Sequence, residues 1–116
     1  MNGDPSAGGL WTEVQGADRV LIGVTKEALE SLGGEITYLG IPDVGTAVRR
    51  GHALVELESA KATLEFVSPV SGSIVEVNGA ASADPSSLSA SGGRDPWLVV
   101  VRLASETSEQ GSSPRK

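Results

Sequence analysis

Two stretches of alternating apolar and polar residues constrain this chain more than any other feature. They are Ala53-Leu54-Val55-Glu56-Leu57-Glu58 and Thr63-Leu64-Glu65-Phe66-Val67. Period-two alternation marks a half-buried β-strand. Only Ser59-Ala60-Lys61-Ala62 separates the two stretches. Two strands so close in sequence are most simply joined as a β-hairpin, with Lys61 at or beside its tip. Taken alone, a lysine in a turn is a solvated side chain. It is also a convenient handle for covalent modification, because nothing in the fold obstructs it. The rest of the chain must decide between these readings.

A chain of 116 residues is the size of one domain. Its aromatic residues are Trp11, Tyr38, Phe66 and Trp97, so the core rests on Val, Leu and Ile, which favour strands. Further strands are expected over residues 10–14, 19–24, 35–41, 73–78 and 97–103, with residues 19–24 apolar enough to be central. One short helix is expected over residues 26–32. Thr25 is its N-cap, Glu27 sits in its first turn, and Gly33-Gly34 ends it. Residues 79–96, rich in Ser, Ala and Gly, read as a long loop, with one helical turn over residues 84–88 and Pro85 at its first position. Pro42-x-x-Gly45 and Pro69-x-x-Gly72 form an internal echo that suits a flattened barrel with approximate two-fold symmetry. Residues 1–9 read as a flexible lead, residues 10–103 as the domain, and residues 104–116 as a disordered polar tail.

The chemistry that this chain can support is narrow. A net charge of −6 argues against nucleic acid, whose phosphates need clustered Lys and Arg, and suits docking onto a basic partner surface. Glu56, Glu58, Glu65 and Glu76 are the candidate acidic face. There is no cysteine, which removes disulfides, zinc-thiolate sites and a thiol nucleophile together. The one histidine, His52, reads as a turn residue beside Gly51, and one histidine assembles no metal site by itself. No Ser-His elbow, phosphate loop or metal-ligand cluster stands out. The longest apolar runs are strand-length, so no membrane span is expected, and the first nine residues lack the features of a secretory or transit signal. The expected location is the cytoplasm. With no catalytic apparatus in view, Lys61 gains weight as an attachment point for a covalent arm.

The residues around it carry a resemblance. Glu58-Ser59-Ala60-Lys61-Ala62, Glu65 and Ser68-Pro69-Val70-Ser71-Gly72-Ser73-Ile74-Val75-Glu76-Val77-Asn78 resemble the lipoyl-lysine region of glycine cleavage system H proteins. The likeness extends upstream through Ile22-Gly23-Val24-Thr25 and Gly34-Glu35-Ile36-Thr37-Tyr38-Leu39-Gly40-Ile41-Pro42-Asp43-Val44-Gly45. Downstream it takes in Asp84-Pro85, Leu88 and Trp97-Leu98, so it spans roughly residues 10 to 103. Biotin carriers usually bracket their lysine with methionines, whereas here Ala60 and Ala62 flank it.

The resemblance implies a mainly all-β, barrel-sandwich hybrid domain of the lipoyl/biotinyl type. It implies lipoate on Lys61 and a carrier with no catalysis of its own, shuttling an intermediate on a swinging arm. Glu58 matches an acid that helps present the lysine to the attaching enzyme, and Glu65 an acidic position near the arm. Implied partners are a lipoate ligase or lipoyl/octanoyl transferase, then glycine decarboxylase, aminomethyltransferase and dihydrolipoamide dehydrogenase. The sequence also departs from the family pattern. Leu10 stands where an acid usually precedes the early tryptophan, and the segment after Pro85 lacks the usual Asn and Tyr. Some H-like carriers serve other systems, chiefly sulfur oxidation with heterodisulfide-reductase-like subunits. An unmodified structural or interaction domain is a further alternative.

Overall fold

A computed structural model describes residues 9–88 and 96–104. The lead before Gly9, residues 89–95 of the expected loop and the tail after Ala104 lie outside the described residues. The strands are β1 (Leu10–Gln15), β2 (Arg19–Val24), β3 (Ile36–Gly40), β4 (Ala47–Val48), β5 (Ala53–Ser59), β6 (Thr63–Val67), β7 (Gly72–Val77) and β8 (Trp97–Leu103). A five-stranded sheet runs β1-β2-β8-β7-β4 and a three-stranded sheet runs β3-β5-β6, with every pairing antiparallel. The all-β expectation holds. The two sheets form a sandwich and do not hydrogen-bond into a closed barrel among the described residues.

One apolar cluster fills the space between them. Ile22, Val24, Val99 and Val101 come from the larger sheet, and Ile36, Leu39, Val55 and Leu57 from the smaller. Central β8 is buried without interruption from Leu98 to Val101. It lies between β2, the expected interior strand, and β7. In the hairpin, alternation alone would turn Leu54 outward. A bulge between Ala53 and Val55 breaks the register, and Leu54 and Val55 are both buried.

The helix α1 (Lys26–Ser31) follows the expected grammar. Thr25 Oγ1 accepts from the Ala28 N–H at 3.1 Å, and Glu27 lies in the first turn. Ala28, Leu29 and Leu32 are buried, so a helix of little more than one turn is held by packing. Gly33, at φ +72°, closes it.

Two elements differ from expectation. Ala47–Val48 forms the short edge strand β4, paired with Ser73 and Gly72 of β7. Gly79–Ala83, expected as loop, is a second helix, α2. Asn78 caps it, accepting from the Ala81 N–H at 3.2 Å, and its Nδ2 donates to the Trp97 carbonyl at 2.8 Å. The expected turn over residues 84–88 is present as a 3-10 helix, Pro85–Leu88. The Pro-x-x-Gly echo does not mark equivalent turns. Gly45 is needed for its φ of +96°. Gly72 is needed for close backbone approach, since a Cβ there would collide with the Arg102 carbonyl oxygen.

Candidate functional site

The hairpin closes as expected. Glu58 pairs with Thr63 and Leu57 with Leu64, and the Ser59 N–H donates to the Ala62 carbonyl at 2.9 Å. Ala60 and Lys61 therefore form the exposed tip. The Lys61 ammonium makes no ion pair among the described residues, where the ion pair present is Arg102 with Asp18 at 3.4 Å.

The tip is fixed by one hydroxyl. Ser59 Oγ accepts from the Lys61 N–H at 3.1 Å and from the Ala62 N–H at 3.2 Å, and donates to the Leu32 carbonyl at 2.7 Å. That uses its one proton and both lone pairs. Leu32 is the C-cap of α1, so the bond ties the loop to the end of the helix. Gly33 follows, and a Cβ on it would lie 3.4 Å from Lys61 Cδ. The lysine stem thus passes over a position without a side chain. β3 completes the support. Ile36 pairs with Ser59, and Thr37 Oγ1 donates to the Glu58 carbonyl at 3.2 Å. Sequence reasoning placed Lys61 correctly at the tip but missed Ser59. A serine two residues before a displayed lysine was the available signal, because Ser side chains bond to backbone N–H groups two and three residues on.

The acidic candidates separate. Glu56 and Glu58 alternate with buried Leu57 on β5, and Glu65 stands opposite Glu56 on β6. Tyr38, opposite Glu58, adds an exposed ring to this outer face. Glu76 does not join them: it lies on β7 of the other sheet, opposite Val100. His52 is an exposed turn residue, with its N–H on the Arg49 carbonyl. No group of three or more His, Cys, Asp or Glu side chains among the described residues could hold a metal ion. A broad hollow of about 1150 Å³ opens at the base of the hairpin between Asp18, Arg50, Ser71 and Arg102. It involves none of the residues around Lys61.

The N-terminal strand β1 packs away from the tip, beside β2. Leu10 is 2% exposed and belongs to the core. A Cβ on Gly9 would collide with the Phe66 ring of β6. Trp11 lies across Gly23 and donates its indole N–H to the Val24 carbonyl at 3.2 Å.

A small antiparallel sandwich that displays one lysine on a braced hairpin defines a carrier-type domain. Comparison with known proteins gives the family. The glycine cleavage H-protein family model matches residues 5–113. Glycine cleavage system H protein 1 of Caldanaerobacter subterraneus subsp. tengcongensis is 42% identical over 97 residues, covering 81% of this chain and 73% of the relative. The H protein of Stenotrophomonas maltophilia strain R551-3 is 37% identical over 94 residues, covering 81% and 71%. The crystal structure of the Mycobacterium marinum H protein superposes with a TM-score of 0.70 at 35% identity, covering 82% of this chain and 78% of that one. This chain belongs to the glycine cleavage H-protein family, whose members are lipoyl carriers and not catalysts.

Proposed function

We propose that residues 10–103 form a lipoyl carrier unit in which lipoate is joined by an amide to Lys61, and that the chain hands an intermediate between partner enzymes. The observation that carries this reading is the exposed lysine, free of ion pairs, on a tip whose backbone Ser59 holds. The site fits the group. An acyl arm needs an unobstructed amine, and Lys61 is exposed at the tip and makes no ion pair among the described residues. Once attached, lipoate would supply the redox and group-transfer chemistry that the polypeptide lacks.

The chain's own residues have simpler tasks. Lys61 Nζ must lose a proton before it can act as a nucleophile, and acylation removes its charge. Glu58, at the mouth of the tip loop, and Glu65, on the same outer face, present an acidic surface to a lipoate ligase or lipoyl/octanoyl transferase. The downstream partners are glycine decarboxylase, aminomethyltransferase and dihydrolipoamide dehydrogenase, in the cytoplasm. No helix among the described residues is long and apolar enough to cross a membrane.

Leu10 favours a second reading. Being apolar and built into the core, it offers no carboxylate to the site. A carrier of this kind could work instead with heterodisulfide-reductase-like subunits in sulfur oxidation. Lys61→Arg tests the attachment: it keeps the charge and the fold, and it should take no lipoyl group on co-expression with a ligase. A lipoylated Lys61→Arg chain would show that another lysine is used. Offering the lipoylated chain to glycine decarboxylase and aminomethyltransferase tests the pathway. Glycine turnover supports the first reading, and its absence the second.

A further inference from the structure

We infer that Ser59 is the positioning residue for acylation of Lys61: its hydroxyl couples the lysine loop to helix α1 and fixes the backbone from which the amine extends to the attaching enzyme. The inference rests on the carrier reading above. Ser59 Oγ bonds both to the backbone of the tip and to another element. It takes the N–H groups of Lys61 and Ala62, and gives its proton to the Leu32 carbonyl at the C-cap of α1. An isolated two-stranded hairpin is marginal in water, and its tip is the part with least support. Here the tip carries the nucleophile.

The step that benefits is an acyl transfer. The donor is an activated acyl group, taken here as an acyl-adenylate. The neutral Lys61 amine attacks the carbonyl carbon, and a C–N bond forms. The C–O bond to phosphate breaks, and the nucleotide monophosphate leaves with the electron pair. One proton leaves the ammonium before attack and a second leaves the amide nitrogen after it, both to solvent or an enzyme base. The rate of such a step depends steeply on where the nucleophile sits, and a displacement of about 1 Å can cost about 100-fold. Gly33 belongs to the same device. Its φ of +72° ends the helix so that the Leu32 carbonyl reaches Ser59.

Ser59→Ala and Ser59→Thr test this in the full chain, with a lipoate ligase, ATP and lipoate. Ser59→Ala should lower the kcat/KM of lipoylation about 10-fold or more, mainly through kcat, and Ser59→Thr should recover most of the loss by keeping the hydroxyl. The second readout is amide hydrogen exchange. In Ser59→Ala the Lys61 and Ala62 amides should exchange faster, while amides of β8 such as Val100 stay as protected as in the unsubstituted chain. Equal lipoylation of Ser59→Ala and the unsubstituted chain would overturn the inference and leave the carrier reading intact. So would a loss matched by faster exchange throughout β8, because that reports general unfolding. Lipoylation of neither chain would remove the carrier reading and this inference together.

Discussion

At the scale of single residues, the fold depends as much on side chains that are missing as on those present. Gly33 supplies the φ of +72° that ends α1, Gly23 leaves space for the Trp11 ring and Gly72 for the Arg102 carbonyl. Position 72 makes the sharpest test, because the obstructing atom is backbone and cannot swing aside. Gly72→Ala should destabilise the fold by about 2–3 kcal/mol, near the upper end for overpacking, as read from urea midpoints at constant slope. Gly79→Ala is its control. Nothing lies within 4 Å of a Cβ there, and the position is helical, so stability should be unchanged or slightly higher. Lys61 was legible in the sequence because alternation on both sides left it nowhere but the tip. Ser59 was not. Its partner, Leu32, is 27 positions away, and no local pattern reports a bond between a hairpin loop and the end of a helix.

Elements were legible where local chemistry agreed with packing. Helix α1 could be read from Thr25, Glu27 and Gly33 because each acts on its own neighbours. The hairpin could be read from its alternation, except at Leu54, where a bulge turns two consecutive residues inward. β4 was missed because two residues show no period, and its existence depends on β7. α2 was missed because Gly, Ser and Ala suggest loop. What stabilises it is Asn78, which caps the helix and also bonds to Trp97 at the start of β8. Asn78→Ala should therefore cost about 1 kcal/mol or more, the usual value of an N-cap with a second hydrogen bond added. Thermal unfolding against Ser82→Ala, an exposed position in the same helix, would measure it. On the hairpin, Glu56 and Glu65 face each other as like charges, which is unfavourable across a strand pair. Glu65→Gln should stabilise the fold by about 0.2–1 kcal/mol, and the gain should shrink as salt is added. Retention of this opposed pair is understandable if the face meets a basic surface.

For the whole molecule, the organising fact is a two-sheet sandwich that displays one braced hairpin tip. Both sheets contribute to one core, and the hairpin that carries Lys61 is paired to β3 in the smaller of them. With a net charge of −6 and three glutamates on the outer face of the hairpin, association with a basic partner should slow several-fold as salt rises from low to physiological levels. Stopped-flow measurements with the attaching enzyme would read this, and Glu58→Gln should flatten the salt dependence. The family and the all-β class could be read from sequence because the motif around Lys61 and the strand periodicity are both local. The split into two sheets, and the separation of Glu76 from the other glutamates, arise from strand order, which periodicity does not encode. The most direct test of the central claim is peptide mass mapping of the chain after expression with a lipoate ligase, alongside an established lipoyl carrier in the same cells. A single lipoyl group on the peptide containing Lys61 is the predicted result. An unmodified Lys61 beside a fully lipoylated control would contradict it.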